Sequence, residues 1–171
     1  MELHRSALVE YSAEDMFDLI ERAEHYPAFL PWCAAAKILE RNDSIVAADI
    51  TVAWHGLRFQ MTTRNPKRRP EWLAVRLERG PFRSFDGEWH IRSLAPHGCK
   101  VEFSLRYELD NALARTVAGR VLDRIAQTFV DAFVTRAHSV FGSAPTSDGS
   151  VALPGAEGPS RSSSAARERE A

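Results

Sequence analysis

Cysteine is almost missing from this chain of 171 residues: Cys33 and Cys99 are the only two, far apart and outside any C-x-x-C pair. Their placement excludes a disulfide scaffold and a thiolate zinc site, and it suits reduced thiols in a reducing compartment. Long hydrophobic runs are missing too. No stretch approaches the eighteen or so apolar residues that span a bilayer, and the opening "MELHRSALVEYS" lacks the apolar centre of a secretion signal. The expected location is the cytoplasm. A surplus of either charge is also lacking, since 22 Lys and Arg face 23 Asp and Glu for a formal net charge of −1. Binding of nucleic acid through bulk charge is excluded on that ground, whereas local cationic patches are not.

Catalytic signatures are equally sparse. None of the six histidines (His4, His25, His55, His90, His97, His138) stands in an H-x-x-x-H pair, so no metal is expected. His90 shares a strand face with Asp86 and Glu88 and reads as part of a solvated surface. Neither cysteine has a base partner in sequence, and no G-x-S-x-G or glycine-rich phosphate loop occurs. The chain is not expected to be an enzyme, and no catalytic residue is assigned.

Alternation of apolar and polar residues is what the sequence has in abundance. "IVAADITVAW" (45–54), "LRFQMTTR" (57–64) and "KVEFSLRYEL" (100–109) each predict a strand with one covered and one wet face. "WLAVRLE" (72–78), "RSFDGEWHIRSL" (83–94) and short runs near 3–10 and 35–41 bring the expected antiparallel sheet to about seven strands. His55-Gly56 and "PHGC" (96–99) predict tight hairpins. Ser12 with Glu14 and Asp15 predicts the start of a first helix, and apolar residues from Leu113 to Val140 at helical spacing predict a second of about 30 residues. That second helix is expected to be capped by Asp110 or Asn111 and stopped by Gly142. One long helix gripped by a curved sheet is an α+β arrangement, and a curled sheet rarely packs flush on a helix, so a cavity between them is expected. From Ser143 the chain turns to Ser, Ala, Gly and Pro, with Val151 and Leu153 its only large aliphatics. The expected division is a folded domain over 1–142 and a disordered tail over 143–171.

"EHYPAFLPWC" (24–33) is the oddest stretch, with four large apolar or aromatic side chains threaded by Pro27 and Pro31. The prolines forbid a long regular element. A stiff, kinked segment that lays its rings over one end of the cavity is expected, either as a plug that closes the core or, the reading preferred here, as a pocket rim that acts as a lid or as a lip facing a membrane.

The segments "MFDLIERAEHYPAFLPWC", "TTRNP", "RGPFRSFDGEWHI", "CKVEFSLRYEL" and "FVDAFVTRA" carry a family resemblance. Over about 3–142 the chain resembles the START-like coenzyme Q-binding proteins, a family that also contains the ribosome-association toxins. The resemblance implies a helix-grip fold with a hydrophobic pocket. For some members it implies ubiquinone binding that supports respiration, and for others binding of the large ribosomal subunit that blocks subunit joining. Helix-grip relatives also include aromatases and cyclases, a third reading.

A quinone sets its own demands. Burying ten isoprenoid carbons from water is worth roughly 8 kcal/mol, but in a bilayer the tail is already solvated by hydrocarbon, so the ring must supply the selectivity. The expected ligand-binding residues are Tyr26, Phe29, Leu30, Trp32, Trp54, Phe59, Met61, Thr63, Phe103, Phe129 and Phe133. Trp32 and Trp54 are candidates for stacking, and Thr63 or Arg64 for donating to a carbonyl. A second candidate site is a basic surface patch of Arg64, Lys67, Arg68 and Arg69, read as a strand-to-strand turn that contacts rRNA phosphates or an anionic membrane. Ubiquinone or a similar isoprenoid lipid is the first expected partner, with peripheral contact at the inner membrane during loading. The large ribosomal subunit is the second.

Overall fold

The computed structural model describes residues 1–110 and 118–142. The proposed tail, the expected cap at Asn111 and the helix positions Leu113 and Val117 lie outside the described residues. Seven strands, β1 (Glu2–Val9), β2 (Cys33–Arg41), β3 (Ile45–Trp54), β4 (Leu57–Arg68), β5 (Trp72–Arg79), β6 (Phe82–Ser93) and β7 (Cys99–Leu109), form one antiparallel sheet in the order β1-β7-β6-β5-β4-β3-β2. Helix α1 (Ala13–Glu21) and a 3-10 turn (Ala23–Ala28) connect β1 to β2, and the long helix α2 (Ala118–Phe141) follows β7. This is the helix-grip fold.

Local chemistry explains the elements. The Ser12 hydroxyl accepts from the Asp15 amide at 3.1 Å, capping α1, while Met16, Phe17 and Ile20 are buried on one side of that helix. His55 and Gly56 both take positive φ (47° and 82°), the backbone that a two-residue turn between twisted strands requires. Along β7, Val101, Phe103, Leu105 and Tyr107 point into the core, and Ser104 and Arg106 point out.

Two strands depart from the expected pattern. The outward face of β3 is not wet: Ala47 and Thr51 are as buried as the inward residues. Their small side chains lie beneath cross-strand neighbours, with Gln60 reaching the Thr51 hydroxyl at 3.4 Å and Thr62 donating to Asp49 at 2.6 Å. Strand β4 runs on to Arg68 rather than ending at Arg64, through Asn65 and Pro66. Between the pairs Thr63–Leu77 and Lys67–Leu73, the Asn65 side-chain oxygen accepts the Arg76 amide at 3.2 Å and so continues the ladder with β5. Arg64 and Lys67 are therefore strand residues, and the turn begins only after Arg68.

At the β6–β7 hairpin, Gly98 holds φ at 118°, and a Cβ there would lie 2.6 Å from the Val9 carbonyl oxygen. Gly98→Ala is expected to cost about 2 kcal/mol through backbone strain and that clash. Thermal melts and faster amide exchange along β1 are the readouts. An unchanged melt would mean that the β1–β7 edge tolerates the displacement.

Candidate functional site

The inward faces of β3 to β7, the end of α1, the 3-10 turn and α2 surround a cavity of about 130 Å³, lined mostly by apolar side chains with Glu21 of α1 at its edge. An apolar void of about 150 Å³ admits a benzene-sized molecule, so the cavity as it stands fits one ring and not a long isoprenoid tail. Phe129, from α2, is the centre of its wall. It meets Trp32 at 5.7 Å, Trp89 at 5.5 Å, and Phe103 and Phe133 at 5.1 Å between ring centroids.

Few polar groups interrupt this wall. Thr63 and Asn65 continue the inward series Leu57, Phe59, Met61 along β4 and are both buried. Since only the Asn65 oxygen can accept the Arg76 amide, its nitrogen faces Thr63 and donates to that hydroxyl at 3.1 Å. The Thr63 hydroxyl, which lines the cavity, has no acceptor for its own proton among the described residues. Tyr107 donates to Asp123 at 2.6 Å, and Tyr26 to the Ile20 carbonyl. Burial, reinforced for Tyr107 by Asp123, raises both phenols well above the ordinary tyrosine range. Burial likewise pushes the Cys33 and Cys99 thiols up to about 11, so both are neutral at physiological pH and poor nucleophiles.

Of the expected ligand-binding residues, Tyr26, Trp32, Phe59, Met61, Thr63, Phe103 and Phe129 line the cavity. The other four do not. Phe133 is wholly buried behind the wall, where Tyr26 and Phe29 pack edge-on against it at 5.3 and 5.2 Å. Leu30 is buried beneath the same turn, and Trp54 lies at the β3–β4 hairpin against His55 at 4.5 Å. Asn65 and Tyr107 were missed by sequence reasoning. For Asn65 the signal was one more step of the period-two series beyond Thr63, and for Tyr107 it was a hydroxyl on an otherwise apolar strand face. The proline-threaded segment turns its rings inward and leaves His25, Pro27, Ala28 and Pro31 outside. It closes the cavity and offers no protruding ring to a bilayer.

The basic patch is also corrected. Lys67 is nearly buried and its ammonium meets Glu21 at 2.6 Å, while Arg69 clasps Asp18 with two contacts of 2.7 and 3.1 Å. Arg64 pairs with Glu40 at 2.8 Å and Arg68 with Glu71 at 3.1 Å. From β2, Arg41 reaches Glu21 at 3.1 Å and grips both oxygens of Glu24 at 2.9 and 2.7 Å. What reads in sequence as a free cationic loop is largely a belt of ion pairs tying α1 and the 3-10 turn to β2 and β4. Hydrogen bonds from Arg69 and Arg41 hold Asp18 and Glu24 below the usual carboxylate range.

Residues 9–134 match the family described as polyketide cyclase / dehydrase and lipid transport. The ribosome association toxin RatA of Pseudomonas aeruginosa is 36% identical over 140 residues, covering 82% of this chain and 97% of that protein. Coenzyme Q-binding protein COQ10 homolog B of Xenopus laevis, a mitochondrial protein, is 22% identical over 146 residues, covering 83% of this chain and 60% of that one. Among solved structures, the Zhui aromatase/cyclase from Streptomyces aligns with a TM-score of 0.69 at 16% identity over 84% of this chain and 98% of that one, a likeness of fold alone.

Proposed function

Since the chain belongs to the polyketide cyclase / dehydrase and lipid transport family, we propose that it is a ribosome-associating protein of the RatA type that binds the large subunit. The observation that carries this reading is likeness along nearly the whole folded chain to a protein named for ribosome association, at 36% identity. The geometry supports it in two ways. The aromatic rings near the closing turn face inward, which removes the feature that favoured a bilayer. The cavity, at about 130 Å³, matches the size of one ring and is small for a lipid tail. Gradient sedimentation of the purified protein with isolated large subunits tests the proposal. Co-migration, with fewer joined ribosomes once small subunits are added, is expected; protein left at the top of the gradient at every salt concentration overturns it.

A second reading is favoured by the Thr63 hydroxyl. A hydroxyl beside the Asn65 amide in a largely apolar cavity suits a flat ring with one carbonyl, such as a quinone head whose tail leaves between the closing turn and the sheet. Thr63→Val keeps the shape and removes the donor, so it should weaken retention of such a ring about 3- to 10-fold, the worth of one neutral hydrogen bond. Mass spectrometry of an organic extract, compared between wild type and variant, reads this directly. Equal quinone content in both would show that Thr63 makes no contact with the ring.

A further inference from the structure

We propose that the outward face of the sheet, where the β4–β5 turn meets the open end of β6 and β7, contacts single-stranded RNA through Trp72, Arg68, Arg92 and Lys100. The inference rests on the ribosome reading and names the face by which the protein meets its partner.

Most of the outward face is charge-matched. Arg76 pairs with Asp86 and, at 2.6 Å, with Glu88; Arg106 meets Glu2 at 2.9 Å and Arg83 meets Glu108 at 3.2 Å. At the β6–β7 hairpin end the matching stops. Arg92 stands directly across from Lys100, a like-charge pair that costs stability in a sheet. Lys100 turns to Glu102 at 2.7 Å, and Arg92 makes no hydrogen bond or contact ion pair among the described residues, feeling Glu102 only through a longer-range attraction. On the far side of Lys100, Leu8 is 73% exposed. Arg68 is the one member of the sequence-read basic cluster that points here, and its pair with Glu71 is highly exposed, so it is weak and easily exchanged.

Trp72 completes the surface. It pairs with Arg68 on β4 and with His90 on β6, so its indole stands on the charged face while its neighbour Leu73 fills the core. No other ring packs on it among the described residues, and it is only half-buried. A shallow depression runs from Arg68 and Trp72 past His90 to Arg92 and Lys100, with Glu71 and Glu102 on its walls.

A stacking plane ringed by guanidinium and ammonium groups is the chemistry that holds splayed nucleotides, base on the indole and phosphates on the cations. Three cations around one ring match one or two nucleotides, not the long stripe that a duplex needs. Glu71 and Glu102 repel the phosphates of a bilayer and of RNA alike, but only RNA also brings base amino groups from which each carboxylate can accept. The observations therefore favour RNA over a membrane.

The test is fluorescence anisotropy with a labelled ten-nucleotide single-stranded RNA and the full chain, over a salt series. Wild type is expected to bind. Trp72→Ala should weaken binding about 5- to 100-fold, and Arg92→Ser with Lys100→Ser should flatten the salt slope by about 1.4. Arg92→Lys should restore part of that slope. A control removing two other outward cations, Lys37→Ser with Arg58→Ser, should change neither quantity. Circular dichroism confirms folding of each variant. Absence of wild-type binding, unchanged binding in the patch variants, equal loss in the control, or patch-dependent binding to anionic vesicles in place of RNA would each overturn the proposal. The same variants run with large subunits separate the two claims. Wild-type co-sedimentation that the patch variants retain leaves the ribosome reading standing and refutes this surface. Patch-dependent RNA binding without co-sedimentation does the reverse.

Discussion

Phe133→Ala should lower stability by about 3–5 kcal/mol, the usual cost of emptying a buried phenylalanine site. Phe133 has no exposed surface and sits where three elements meet, with Tyr26 and Phe29 from the closing turn, Trp89 from β6 and Phe129 from its own helix within 5.3 Å. Interlocked edge-to-face rings relax poorly into a void, so the loss should fall at the upper end of that range, on the order of 10 °C in Tm. Phe129→Ala is the informative companion. It enlarges the existing cavity, so it should cost less stability and admit larger aromatic ligands. Urea midpoints and ligand extraction on the two variants separate a packing role from a binding role. If Phe129→Ala proves the more destabilising, the division between wall and core drawn here is wrong.

Breaking the belt at Glu21 should have the next largest effect. Glu21→Gln leaves the Lys67 ammonium, only 8% exposed, without its carboxylate, and an orphaned buried charge costs about 3 kcal/mol. Lys67→Met should be milder, because Glu21 keeps its contact with Arg41. The belt also sets an acid limit. The carboxyls of Asp18 and Glu24 titrate below their ordinary values of 3.8 and 4.5 in the folded protein. Their stabilisation is therefore complete above those values and disappears as pH falls through the lower, folded ones. Wild-type Tm should be flat between pH 5 and 8 as far as these groups are concerned and drop below about pH 4. Arg41→Gln with Arg69→Gln should blunt that acid drop. Because the belt clamps the turn that shuts the cavity, the same variants should load and release an aromatic probe faster in stopped-flow fluorescence. Unaltered loading rates would show that the turn is held by its buried rings alone.

The fold was largely written in local patterns. Period-two runs such as Val101 to Leu109, and the caps and turns at Ser12 and His55-Gly56, carry their own physical signal and need no partner to be read. What escaped depends on contacts between distant residues. Pro66 and the charges around it made Arg64 to Arg69 look like a turn, because nothing nearby in sequence reveals that Asn65 bridges to β5 or that α1 supplies Asp18 and Glu21. The cavity was legible in outline from the inward faces of β4 and β7. Phe133 and Phe129 lie on the same helix stripe, yet one is wall and the other core, a distinction of depth that alternation does not encode. The outward patch around Trp72 was hidden for a similar reason: Arg92 and Lys100 are separated by the hairpin and become neighbours only through strand register.

The pairing of the first strand with the last has a temporal consequence. Arg106, across from Glu2, lies 104 positions further along the chain. A ribosome adding about 5–20 residues per second needs several seconds or more to make that stretch. During this interval β1 has no native neighbour, and the β2–β5 meander, whose partners are adjacent in sequence, can already zip up by short-range hairpin closure. The nascent chain thus waits with one strand unsatisfied, in the period when chaperones and aggregation compete for it. Mutations at the β1–β7 seam should accordingly show themselves first as poor yield of new protein, and only secondarily as loss of protein already folded.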